Sequence, residues 1–216
     1  MKTSFLTTMG LMGALAAAPA YGDETIDFTI TDGKVVPSES FAAMVSVLGA
    51  AITSGATDIP VTVQAEIGGT VIQPWGSYSN ASEGDVNDHG PVRHHIYEQQ
   101  LDAGEEIVIS GQSWWNGSSY IAVNSNAQSA QVKVLRDGDA APAISGFNGQ
   151  STADYYIREY LDGGRVNLDE NQVIYLFELG TTSLSTSAAD FQDLVVLVTL
   201  GESVEALKGK LDPLYD

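Results

Sequence analysis

Apolar residues fall in short runs along this chain, and the period of each run predicts the element it forms. Val173 to Leu179 and Leu194 to Leu200 are almost unbroken aliphatic and aromatic runs of strand length, the pattern of strands buried on both faces. Between them Gly180 to Asp190 is small and polar, a loop composition. Thr25 to Ile30 instead alternates Ile26, Phe28 and Ile30 with polar neighbours, which predicts a half-buried strand closed by a turn at Asp32-Gly33. Phe41 to Ile52 carries valines and is followed by Thr53-Ser54-Gly55, which favours a strand over a helix. Val61 to Ile67 and Thr70 to Gln73 flank Gly68-Gly69, a hairpin signal, and Asn116-Gly117 is a second one. Further strands are predicted over 94–101, 105–115, 119–125 and 130–138.

One segment breaks the pattern. Ser151 to Leu161 has a Ser-Thr start, an acid in its first turn and Gly163-Gly164 beyond its end, which predicts a helix of about three turns. Glu202 to Asp216 is more polar and predicts a short helix or a polar tail. Many short strands, regular turn signals and one short helix make this an all-β chain, an antiparallel β-sandwich or jelly-roll. Residues 23–200 are read as one such domain, and 201–216 as a C-terminal tail.

Composition adds a destination. Met1 to Gly22 has a basic n-region at Lys2, an apolar run from Phe5 to Ala18 and small residues before Asp23, the parts of a secretory signal peptide. The run is too short for a membrane span. Cleavage there leaves 8 basic against 28 acidic side chains, a net charge of −20. Such a charge repels nucleic acid and anionic membranes, and suits an exported protein in salty or cation-rich surroundings. There is no cysteine, so no disulfide supports the fold, but the length is sufficient for a core without one.

Three constellations carry possible chemistry. In the first, adjacent core strands would bring Glu178 close to Asp190 and Asp193. On strand alternation Asp193 shares a face with Phe191, on the inner side, where a bare carboxylate is costly. Calcium, which accepts carboxylate and carbonyl oxygens in flexible geometry, answers that cost; backbone N–H groups are the other answer. Phe177-Glu178 and the later Asp190-Phe191-Gln192-Asp193 before an aliphatic strand resemble the C-terminal half of LruC-type domains of secreted bacterial proteins. That resemblance covers about 25 residues and implies an exported β-domain with a calcium site. This chain differs from the family's pattern at Leu179, where an acid is usual, at Gln192, where Asn is usual, and at Ala188-Ala189, where further acids often stand.

In the second, His89, His94 and His95 lie near Glu83, Asp85 and Asp88, donors of the kind that hold zinc or another transition metal. Their spacing matches no metal motif, and 94 and 95 face opposite ways in a strand, so a solvated acidic loop is the preferred reading. In the third, Trp75, Tyr78, Trp114, Trp115 and Tyr120 are aromatic faces that can stack on sugar rings if exposed, or pack in the core if not. Serine-hydrolase, zinc-protease and cysteine-nucleophile motifs are not found. The expectation is an exported, non-enzymatic β-domain of a cell surface or matrix, stabilised by calcium, with a carbohydrate-binding module as the alternative. Glycans or other surface proteins are its expected partners.

Overall fold

The computed structural model describes residues 26–78, 84–142, 146 and 149–211. The expected signal peptide, Glu83 and the last five residues lie outside them. In chain order the strands are Phe28–Thr31 (β1), Lys34–Pro37 (β2), Ala42–Gly49 (β3), Thr53–Ser54 (β4), Thr57–Asp58 (β5), Val61–Ile67 (β6) and Thr70–Ile72 (β7). Arg93–Ile96 (β8), Ile107–Trp115 (β9), Ser118–Asn124 (β10) and Val132–Leu135 (β11) follow. The helical turn Ala153–Tyr156 (α1) then leads to Leu161–Asp162 (β12) and Arg165–Val166 (β13). Gln172–Phe177 (β14), Leu194–Gly201 (β15) and the helix Val204–Leu211 (α2) complete the chain.

Two antiparallel sheets form an all-β sandwich, as the periodicity predicts. The first sheet runs β1, β2, β9, β6, β7, with β10 also paired to β9; the second runs β11, β14, β15, β3, β8. Val63 and Ile67 of β6 and Ile107 and Ile109 of β9 meet Val45, Tyr175, Phe177, Val196 and Val198 of the second sheet in the main core. The second sheet is covered on its outer face too. Ala153, Ile157, Val166 and Leu168 pack on Ile174, Leu176, Val195 and Leu197, while Val204 and Leu207 of α2 pack on Ala42 and Met44 of β3. That double burial is why β14 and β15 read as continuous apolar runs, whereas β6, β9 and β10 alternate.

The 151–161 segment departs from expectation. It makes one α-turn, then the 3-10 turn Arg158–Tyr160, because Ile157 leaves the helical region at φ −102° and ψ 11°. Ala153 and Ile157 are the buried pair that fixes this turn on the sheet. Gly163 and Gly164, with φ of +55° and +80°, close the β12–β13 hairpin rather than capping a helix. The eight-residue helix among the described residues is α2, so of the two readings of the 202–216 segment the short helix holds over Val204–Leu211, with Leu207 fully buried.

Candidate metal centre

The register of the two central strands builds this site. Phe177 of β14 lies opposite Leu194 of β15, so the next residues outward, Glu178 and Asp193, face each other at the open end of the pair. Asp190 returns beside them at the close of the 180–190 loop. The expected strand alternation over 190–193 does not hold. Phe191 has φ +57°, a left-handed residue that turns the chain, and all four residues are buried. Phe191 faces the outer cluster, with the Lys133 ammonium 3.9 Å from its ring centroid, while Asp193 turns the other way, toward Leu179 and Gly180.

The three carboxylates are the group of metal-type donors that the described residues bring together, with donor atoms within 4.8 Å of one another. Glu178 is 0%, Asp190 1% and Asp193 3% exposed. Backbone amides meet part of the charge. Asp193 Oδ2 accepts from the Leu179 and Gly180 N–H groups, both at 2.6 Å. Glu178 Oε1 accepts from Gly180 at 3.0 Å and Thr181 at 2.9 Å, and its Oε2 accepts from Phe191 at 3.3 Å. Burial, then the neighbouring Glu178 and Asp190 charges, push the Asp193 carboxyl well above the usual carboxylate range, against the pull of the Leu179 amide. A proton on Asp193 relieves that repulsion, and a cation would do the same.

Two glutamines brace the loop: Gln192, which the sequence placed in the motif, and Gln131, which it did not single out. Gln131 donates to the carbonyls of Glu178 and Thr181, and Gln192 donates to the Ala51 carbonyl and to Gln150 Oε1. Only long-range placement reveals Gln131, since a lone glutamine carries no sequence signal.

The histidines are not assembled. Ser46 shares a hydrogen bond with His94 Nδ1 at 2.8 Å on the outer face of β3, His95 lies opposite core Val45 on the other face, and His89 meets Asp58 at 3.3 Å. Burial lowers the pKa of both His94 and His95, with Glu98 opposing at His95.

The aromatic group divides. Trp75 is half-buried against the main core. Tyr78 and Trp114 stack on each other at 4.9 Å and 22°, and Trp114 Nε1 donates to Thr62 Oγ1. Trp115 and Tyr120 are 40% and 54% exposed at the β9–β10 hairpin, where a register shift between Ser119 and Ile121 re-aims Tyr120. No family model, no curated protein and no solved structure matches the chain.

Proposed function

We propose that this chain is an exported, non-enzymatic β-sandwich of a cell surface or extracellular matrix, stabilised by a calcium ion held by Glu178, Asp190 and Asp193. The convergence of three buried carboxylates in a chain of net charge −19 carries this reading. Bringing such groups together without a counter-charge is unfavourable, and the amides offset only part of it. The donors are all oxygen, with no histidine or cysteine, which favours a hard ion over zinc. Backbone carbonyls and water would complete the shell. Export rests on the character of Met1 to Gly22, and no helix among the described residues is long and apolar enough to cross a membrane.

Equilibrium dialysis with metal analysis tests the site. One calcium per chain is expected, lost in Glu178→Gln and Asp193→Asn; a protein that carries no calcium above the buffer blank refutes it. The exposed pair Trp115 and Tyr120 favours a second reading, a sugar-binding face at the hairpin. In that case the wild type gives glycan-array signals that Trp115→Ala abolishes while its melting temperature holds. An array with no wild-type signal removes this reading.

A further inference from the structure

A cavity of about 380 Å³ opens at the edge of the second sheet, lined by neither the three carboxylates nor the hairpin aromatics. Its volume is in the range of small-ligand sites. β3 runs on past Val47↔Arg93, its last pair with β8, and Leu48, Gly49 and the following Ala50 line the cavity. One wall is Tyr155, Tyr156 and Tyr160; the facing wall is the 89–93 segment that enters β8.

The walls are built rather than incidental. A Cβ on Gly49 would lie 2.0 Å from the Tyr156 ring, so glycine is what lets that ring lie against the strand. The Tyr156 hydroxyl then donates to the Ala50 carbonyl at 3.1 Å. Tyr155 stands edge-to-face to Tyr156, with centroids 5.5 Å apart, and remains 51% exposed. Arg158 lies 4.5 Å over the Tyr155 ring and is oriented by the Tyr155 carbonyl at 2.8 Å. Across the opening Arg93 is held by the Asp85 carbonyl and the Asp88 carboxylate.

We infer that the Tyr155–Tyr156–Tyr160 wall, with Arg158 and Arg93 beside it, binds a short oligosaccharide bearing uronate carboxylates. A pyranose ring offers an apolar C–H face to a tyrosine ring and hydroxyls to planar donors at its rim. A guanidinium fork matches a carboxylate in two parallel hydrogen bonds, which lysine cannot reproduce. The charge distribution points the same way. The chain has 28 acidic and 9 basic residues, and two guanidiniums line this one cavity: Arg93, paired with Asp88, and the exposed Arg158, whose Glu159 partner lies 3.8 Å away. An anionic sugar is repelled by most of the surface, and here its carboxylate can take the place of the loosely paired Glu159 on Arg158. The inference takes its setting, an exported module, from the proposed function, but depends on neither the calcium centre nor Trp115.

Calorimetric titration of the chain from Asp23 onward with trigalacturonate tests it, without added calcium so that chelation of the ion by the sugar is not read as binding. Saturable binding to one site is expected, weakening with added salt, and about tenfold weaker in Tyr155→Ala and in Arg158→Gln. Maltotriose, neutral and of equal length, should bind at least about tenfold less tightly, and Trp115→Ala should bind trigalacturonate like the wild type. Exposed Tyr155 and Arg158 leave the melting temperature near that of the wild type, which keeps the variants interpretable. No saturable binding, equal affinity for the two sugars, or wild-type affinity in both cavity variants overturns the inference. A loss confined to Trp115→Ala would also overturn it, by moving the sugar site to the hairpin.

Discussion

Excess calcium is expected to raise the melting temperature of the chain from Asp23 onward by about 5–11 °C over the same protein in chelator. Free ligand at about a hundred times its dissociation constant favours the native state by about 2.7 kcal/mol, and a domain of this size shifts by about 2–4 °C per kcal/mol. The pH dependence should separate proton from cation. Burial beside Glu178 and Asp190 raises the folded pKa of Asp193 above its unfolded value, so the native state holds more protons between the two. That contribution is fully present below the unfolded pKa and is lost as pH rises through the folded one. In chelator, stability should therefore fall as pH climbs from about 4 toward neutrality. Calcium replaces the proton, so its effect should grow over the same interval. Asp193→Asn keeps the volume and can still accept the Leu179 and Gly180 amides. It should lose most of the calcium shift, yet melt no lower than the wild type in chelator at neutral pH. Identical melts of the wild type in calcium and chelator at neutral pH would leave amide capping as the whole role of the cluster.

The second large effect is expected from Phe177→Ala. This side chain is fully buried between the sheets, 6.3 Å from the Tyr175 ring and one residue from Glu178. Truncation removes a large apolar group and leaves a cavity that close-packed strands collapse into only partly, at a cost of about 3–5 kcal/mol. The denaturant midpoint should fall with the slope unchanged. Val71→Ala, at an exposed edge position, should stay within about 0.5 kcal/mol of the wild type. Because Phe177 adjoins the carboxylate centre, it should couple to Asp193→Asn, giving a double variant whose loss is not the sum of the singles. A loss below about 1.5 kcal/mol for Phe177→Ala would contradict the packing of the two sheets described above.

The place of the carboxylate centre was legible from sequence because antiparallel pairing of two adjacent apolar runs forces their ends together, putting Glu178 opposite Asp193. Its internal geometry was not. Strand alternation put Phe191 and Asp193 on one face, but the positive φ of Phe191 breaks the alternation and sends them to different clusters. Nothing local requires that conformation of a phenylalanine; the outer apolar cluster and the Phe191 amide bond to Glu178 Oε2 hold it there. In the same way Gly163-Gly164 reads equally as a helix stop or a hairpin turn, and the pairing of Leu161 with Val166 decides for the hairpin.

Period by itself determined the all-β class, the hairpins at Gly68-Gly69 and Asn116-Gly117, and which strands lie at the centre, because side-chain alternation and double burial are written residue by residue along a strand. Tertiary structure alone decided which elements share a sheet, that 153–168 and α2 cover the outer face of the second one, and that three tyrosines meet Arg93 across a gap at its edge. Those contacts join residues far apart in the chain. Their free energy comes from surfaces that exist only after the sheets have formed, so no local pattern could carry them.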